Sequence, residues 1–248
     1  VSRKSEDVLH GANAVIEALR AGRRRIHRVF IVRGGRSRSH ERIRDLAGRA
    51  GVAVEEVDGS WMGRRFRDRE DQGVAAQVDP YPYVSVGEIL DGAGRTPLLL
   101  ALDQVQDPRN LGAAVRSAVA FGAGGVIIHK DRSASVTAAA VKASAGMTEH
   151  LPIARATNLV RALEAARDRS IWIRGLEAGS ETPVHDEDLT LPTLLVVGGE
   201  DSGLRRLTIE RCDSMLRIPL APPCSSLNAA TAASVALAEA ARQRTRTP

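Results

Sequence analysis

The sequence predicts a two-part α/β protein, and three observations predict it. Apolar runs of strand length alternate with helical apolar spacings along nearly the whole chain. That alternation is broken once, by Pro- and Gly-rich stretches between residues 79 and 97. Hydrophobic residues make up 43% of the 248, enough for a core in each part, while aromatics are only 3%, so Val, Leu, Ile and Ala must build those cores. Repeated strand–helix alternation in the longer part favours a parallel sheet covered on both faces.

In the first part, residues 10–22 space Ala14, Val15, Ala18 and Leu19 as one helical face and end on Gly22, a helix stop. Residues 26–32 (IHRVFIV) read as a strand closed by Gly34-Gly35. A helix over 39–50 carries Ile43, Leu46, Ala47 and Ala50. A strand at 52–57, a helical segment at 61–66 and a strand at 74–78 complete a unit of about 80 residues, near the lower size for independent stability. The expected division is 1–79, a linker at 80–96, and 97–248. In the last part, strands are expected at 98–102, 126–129, 151–154, 171–173, 194–197 and 216–220. Helices are expected at 111–121, 135–145, 159–167, 207–213 and 227–242.

Charge is unevenly spread. Residues 1–79 hold 17 Lys+Arg against 12 Asp+Glu, and the remainder holds 18 against 18. The excess sits largely in Arg23-Arg24-Arg25, Arg28, Arg33, Arg36, Arg38 and Arg64-Arg65. Such asymmetry points to a phosphate-rich partner for the first part, or to a solvated basic surface. No apolar run reaches the roughly 20 residues of a membrane span. The opening residues, VSRKSEDVLHG, lack the apolar centre of a secretory signal. Cys212 and Cys224 fit no metal spacing, and two reduced thiols are expected. These features predict a cytoplasmic protein with no membrane partner and no metal.

Three loops carry candidate chemistry. The first, residues 103–116 (DQVQDPRNLGAAVR), places Asn110 between Pro108 and Gly112 where a helix cap would stand, with Arg116 further into the helix and Arg109 beside Asn110. An Asn and an Arg near a helix start can hold a phosphate or orient a ribose hydroxyl; separately they read as a cap and a surface ion pair. The second loop, 198–203 (GGEDSG), follows a strand, and its glycines permit a tight turn and close approach of a ligand. It lacks the dinucleotide and P-loop glycine patterns, and Glu200 would repel a phosphate, so a cationic or hydroxyl-rich ligand suits it better. The third loop runs from Ile218-Pro219-Leu220 to Asn228, with Ser225 and Ser226 as helix caps or ligands.

Singly these loops are weak signals; in this order they resemble one family. Asn110, Gly112 and Arg116, then Gly198, Glu200 and Gly203, then Ile218-Pro219-Leu220 with Ser226-Leu227-Asn228, resemble the three motifs of the SpoU (TrmH-like) RNA ribose 2′-O-methyltransferases of the SPOUT class. His10-Gly11 followed by Ala14 to Leu19 resembles the start of the substrate-binding domain of the RlmB-type members. One departure is Asn228-Ala229-Ala230, where relatives often have Asn-Val-Ser.

The resemblance implies a small L30e-like N-terminal domain followed by an α/β-knot methyltransferase domain with a deep trefoil knot. It implies S-adenosylmethionine as cofactor, held largely by backbone groups, with Gly198, Gly199, Gly203, Ile218, Leu220, Leu227 and Asn228 around it. It further implies a homodimer that completes the site, which the small-residue helix after Asn228 could serve, and a guanosine ribose of 23S large-subunit rRNA as substrate. A tRNA ribose, a resistance-type rRNA site, or an inactive RNA-binding assembly factor stands as an alternative. The catalytic residues carried over are Asn110, Arg116, Glu200, Ser226 and Asn228. Since a guanidinium stays protonated at neutral pH, Arg116 is expected to anchor a phosphate and stabilise the developing alkoxide. Glu200 is expected to fix Arg116 or a substrate hydroxyl. Arg23, Arg24, Arg25, Arg36, Arg38 and Arg109 are the candidates for RNA contact. Deleting residues 1–79 is expected to cost RNA binding more than cofactor binding.

Overall fold

The structure is a computed structural model that describes residues 7–34, 37–66, 73–200 and 203–246; Arg36, Asp201 and Ser202 lie outside the described residues. The backbone divides into two compact units, 1–82 with 136–150, and 83–135 with 151–248. Among the described residues no helix is long and apolar enough to cross a membrane.

The first unit holds strands β1 (Asp7–His10), β2 (Ile26–Val32), β3 (Val54–Val57) and β4 (Val74–Val78) in the order β1-β4-β2-β3. β2 pairs in parallel with β3, and the other two pairings are antiparallel. Helices α1 (Ala12–Ala21), α2 (Arg38–Arg49) and α3 (Gly59–Phe66) complete its N-terminal portion. α1 ends as its Gly22 signal predicts, with that residue at φ 60 and its N–H bonded to the carbonyl of Ala18. Three of the scarce aromatics cluster here: Trp61 and Phe66 pack on Phe30 with ring centres at 5.2 and 5.4 Å, beside buried Met62 and Val57. The core of this unit therefore departs from the all-aliphatic expectation.

The second unit opens with α4 (Val86–Gly92), then β5 (Leu98–Asp103), α5 (Pro108–Ala120) and β6 (Gly125–His129). The chain next contributes α6 (Ala138–Ala143) and a 3-10 turn, Met147–Glu149, to the first unit. It resumes with β7 (Ile153–Ala156), α7 (Leu159–Arg167), β8 (Trp172–Leu176), β9 (Thr182–Pro183) and β10 (Thr193–Gly198). It ends with α8 (Arg206–Ile209), β11 (Ser214–Arg217) and α9 (Ala229–Arg246). The seven strands form one all-parallel sheet, β7-β6-β5-β10-β8-β11-β9. β5 and β10 lie at its middle and are buried along their full length, which is why they read as unbroken apolar runs. Leu99, Ala101, Ile127, Leu194 and Val196 face Ile89 and Leu90 of α4 and Leu159, Leu163 and Ala166 of α7. The alternate residues face the other way, where α5 and α9 pack. The small residues Ala233, Ala236 and Ala240 of α9 are buried within this unit.

Three expectations are corrected here. The stretch at 80–96 is not a bare linker: Ser85 and Glu88 form a capping box that starts α4, whose Ile89 and Leu90 belong to the core. Residues 136–150, expected within the second part, pack with the first. There Tyr81 donates to the carbonyl of Thr148 at 3.0 Å, and Glu17 and Asn13 stand so close that a Cβ on Gly146 would collide with both. Arg24 is buried, its Nε and Nη2 gripping the two carboxylate oxygens of Glu149 at 3.0 and 2.5 Å. A guanidinium so enclosed is a structural ion pair, not an RNA contact.

Candidate active site

In a parallel sheet every strand delivers its last residue to the same edge. Four neighbouring strand ends, those of β5, β10, β8 and β11, build the site there. β5 ends in fully buried Asp103, whose carboxylate accepts from Arg205 Nε at 2.7 Å, Arg205 N at 3.2 Å and Thr208 Oγ1 at 2.7 Å. These bonds tie the far side of the glycine loop back to β5.

The glycines answer to the chain itself. A Cβ on Gly198 would run into the backbone of Gly203 and Leu204, and one on Gly199 would lie 2.6 Å from the carbonyl of Gln104. Gly203 closes the loop at φ 60, its N–H donating to the carbonyl of Gly199 at 3.1 Å. Both strand-end glycines were expected chiefly to admit a ligand; their first role is to let three backbone segments pass at close range.

Beyond that turn Glu200 is clasped by two amides. Its Oε1 accepts from Asn110 Nδ2 and from Asn228 Nδ2, the latter at 2.5 Å, and Asn228 Nδ2 also donates to Asn110 Oδ1 at 3.1 Å. Asn228 has little freedom in this, because its Oδ1 caps α9 by accepting from Ala230 N at 2.9 Å and Thr231 N at 3.3 Å. With the oxygen spent on the helix, the NH₂ must face Glu200. The cap of α9 is thus Asn228 rather than Ser225 or Ser226. Likewise the cap of α5 is Asp107, which accepts from Arg109 N at 2.8 Å, so Asn110 stands one turn inside the helix with its side chain free for Glu200.

A cavity of about 470 Å³ opens against this clasp. Gly198, Gly199, Glu200, Gly203, Ile218, Leu220, Ser226, Leu227 and Asn228 all line it, so the second and third motifs meet in one place. Asn110 joins through its bonds to Glu200 and Asn228. Arg116 does not: it is exposed, lines no part of the cavity, and has no hydrogen bond or ion pair among the described residues. Glu200 does not fix it. Sequence reasoning missed the contribution of β8, whose end brings Leu176, Glu177 and Ala178 to the wall. The apolar run at 171–173 does not show it, because the strand continues through Arg174 and Gly175, residues that read as a break, and a Cβ on Gly175 would sit 2.6 Å from the sulfur of Met215.

Both cysteines are free, Cys224 exposed within the third loop and Cys212 half-buried, where burial pushes its thiol up to about 12. Of the other candidates for RNA contact, Arg25, Arg38 and Arg109 are exposed, and Arg23 is half-buried with its guanidinium 6.0 Å from the ring centre of Tyr81. Arg28, Arg33 and Arg44 are paired with Glu55, Asp58 and Glu56 on the surface. Such exposed pairs are weak enough to exchange for a phosphate.

Comparison with known proteins agrees with this geometry. A model of the SpoU rRNA Methylase family matches residues 97–238, and one described as RNA 2′-O ribose methyltransferase substrate binding matches 8–84. The chain is 45% identical to an uncharacterized tRNA/rRNA methyltransferase of Mycobacterium ulcerans (strain Agy99), over 97% of this chain and 78% of that one. It is 40% identical to another of Synechocystis sp., over 98% of this chain and 64% of that one. Among solved structures, the SpoU methyltransferase AviRb from Streptomyces viridochromogenes in complex with AdoMet superposes with a TM-score of 0.82 at 27% identity, covering 99% and 93% of the two chains. The AdoMet-bound rRNA methyltransferase from Sinorhizobium meliloti gives 0.78 at 26%, covering 96% and 87%. With one family model spanning more than half of the sequence and relatives matching along nearly all of it, the chain belongs to the SpoU rRNA methylase family of S-adenosylmethionine-dependent RNA methyltransferases.

Proposed function

We propose that this enzyme methylates the 2′-hydroxyl of a ribose, that of a guanosine in 23S large-subunit rRNA. The observation that carries the reading is the clasp of Asn110, Glu200 and Asn228 on the rim of the cavity. It holds a carboxylate rigidly at the mouth of a nucleoside-sized pocket and leaves Glu200 Oε2 without a partner among the described residues.

The cavity suits S-adenosylmethionine. Its volume lies in the range of small-molecule sites, and Val197, Leu204, Leu216, Ile218 and Leu227 give it apolar walls. Gly198 and Gly199 expose backbone there, and among the described residues no Lys or Arg lines it, as befits a cofactor without phosphates. Bound there, the cofactor supplies an electrophilic methyl group on a sulfonium. The residues of the chain do the rest. Glu200 Oε2 accepts the ribose hydroxyl and fixes its approach, with Asn110 and Asn228 holding Glu200 in place. Arg116 binds a phosphate of the RNA, and Ser226 lines the mouth beside Asn228. Arg23, Arg25, Arg38 and Arg109 hold RNA by its backbone, with salt-sensitive affinity.

One observation favours rRNA over tRNA. The AdoMet-bound Sinorhizobium protein, described as an rRNA methyltransferase, aligns with 96% of the chain, whereas the A. aeolicus protein described as a tRNA modifying enzyme aligns with 64%. We also read the second unit as a trefoil knot. The family resemblance supports that reading, and the return of α9, which follows β11, to pack on β10 and α5 is compatible with it. The homodimer implied by the family would let Arg116 of one copy serve the cavity of another. Mapping ribose methylation in rRNA and tRNA from cells with and without the enzyme tests the substrate. One guanosine of 23S rRNA should lose its methyl group, and a loss confined to tRNA would overturn the assignment.

A further inference from the structure

The cavity has a second acid, which the three motifs leave unused. β8 lies between β10 and β11, so the residue after it emerges between the glycine loop and the Ile218-Pro219-Leu220 loop. That residue is Glu177. Its backbone is pinned on both sides: Glu177 N donates to the carbonyl of Leu216 at 2.9 Å, and its own carbonyl accepts from Ser180 N at 3.2 Å. Glu177 lines the cavity, and its carboxylate has no hydrogen bond or ion pair among the described residues. The contrast with its neighbours is sharp, since Glu200 is held by two amides and Asp103 by three donors.

We propose that Glu177 holds the ribose diol of the bound nucleoside cofactor, one hydroxyl on each carboxylate oxygen. An ionised carboxylate only accepts, and the vicinal hydroxyls of a ribose offer two donors at the spacing of its two oxygens. Acids at strand ends take ribose hydroxyls in the same way in dinucleotide-binding sheets. The same charge turns away nucleotides that carry phosphate, so Glu177 selects as well as binds. This assignment rests on the cofactor reading above and adds a side-chain contact to a site otherwise built from backbone.

The test is calorimetric titration of the full chain with four probes: S-adenosylmethionine, S-adenosylhomocysteine, 5′-deoxy-5′-methylthioadenosine and the 2′-deoxy form of the last. Glu177→Ala should weaken the first three alike, by about tenfold or more. Removing the 2′-hydroxyl should cost the wild type a similar factor and cost Glu177→Ala almost nothing further. Glu177→Gln, which keeps one acceptor oxygen, should fall between. An equal penalty in wild type and variant for the missing hydroxyl would overturn the proposal. So would a loss confined to S-adenosylmethionine, which would make Glu177 a partner of the sulfonium, or a loss absent with methylthioadenosine, which would make it a partner of the amino group. Wild-type protein that binds none of the probes would sink the cofactor reading together with this one. Normal wild-type affinity left unmoved in Glu177→Ala would sink this one alone.

Discussion

Arg24 and Glu149 are 125 residues apart in sequence and have side chains 2% and 1% exposed, so their pairing is the strongest test of how the first unit is assembled. Replacing Arg24 with Met removes two charge-assisted bonds and strands a buried carboxylate. Breaking such a pair from one side costs about 3–5 kcal/mol, against about 5–15 kcal/mol for the stability of a whole domain. Replacing both, as Arg24→Met with Glu149→Leu, leaves no buried charge and should recover most of the loss. The assay is urea unfolding followed by fluorescence of Trp61, which packs against Phe30, in a Trp172→Phe background so that only the first unit reports. A loss below about 1 kcal/mol in the single variant, or a double variant worse than either single one, would refute the argument. RNA binding by the folded fraction is the control. Arg24→Met should bind as wild type does while Arg25→Ala binds more weakly; the reverse order would return Arg24 to the RNA surface. The same pair spoils the deletion of residues 1–79 as a test of RNA binding, because that deletion leaves Glu149 and the rest of 136–150 without their packing partners.

Four further outcomes follow from the geometry. Arg116→Ala should leave melting temperature and S-adenosylmethionine titration unchanged and nearly abolish methyl transfer in a radiolabel assay, since the side chain is exposed, lines no part of the cavity and has no hydrogen bond or ion pair among the described residues. Asn228→Ala should lose about 1 kcal/mol of stability with its cap, whereas Asn228→Asp keeps a capping oxygen and sets a second carboxylate against Glu200; both should lose transfer, measured beside denaturation curves. Gly199→Ala should cost about 1–3 kcal/mol and weaken cofactor binding, because its Cβ meets the carbonyl of Gln104. A thiol reagent should find one fast cysteine, Cys224, with Cys212 reacting only on unfolding. Because the folded protein holds the Cys212 proton up to about 12 against an ordinary 9.0, that thiol's contribution to stability is intact below pH 9.0 and is lost as pH rises towards 12.

What the sequence discloses depends on how local the cause is. β2, β4 and α7 have the bounds expected of them, because apolar period and cap lie within each segment. α4 was legible too, in Ser85 and Glu88 three residues apart, but its seven residues lie between Pro-rich breaks and carry only two buried side chains. β1 and β9 are four and two residues long and exist by pairing with β4 and β11, which no local pattern reveals. The allegiance of 136–150 to the first unit is of the same kind, since an Ala-rich helix reads alike in either place and only distant partners, Arg24 for Glu149 and Tyr81 for Thr148, distinguish them. In the site, residue types at spaced motifs were enough to gather nine residues around one cavity. Residue types could not say which amide caps and which binds. Asp107 takes the cap of α5 and frees Asn110, while Asn228 does both at once.

The position of Arg116 decides how the labour is divided. Asn110 bonds to Asn228, and Ser117 Oγ lies 2.6 Å from Ser234 Oγ, so both pairs lie along the seam between α5 and α9. At about 100° per residue, Ser117 falls within about 20° of Asn110 around the helix, and Arg116 about 120° away. The motif that joins Asn110 to Arg116 in sequence thus separates them in space, one facing the seam and the other leaving it. A cation inside the cavity would neutralise Glu200 and invite phosphate where a phosphate-free nucleoside must bind. Held outside, the same cation is free for the phosphate of the RNA that the proposed function assigns to it, and the roles proposed for Glu177 and Glu200 would keep the cavity selective for hydroxyl groups. Arg116 therefore earns its place in the motif by its distance from the other two members, and a substitution that turned it toward Glu200 would be expected to trap both residues in an unproductive ion pair.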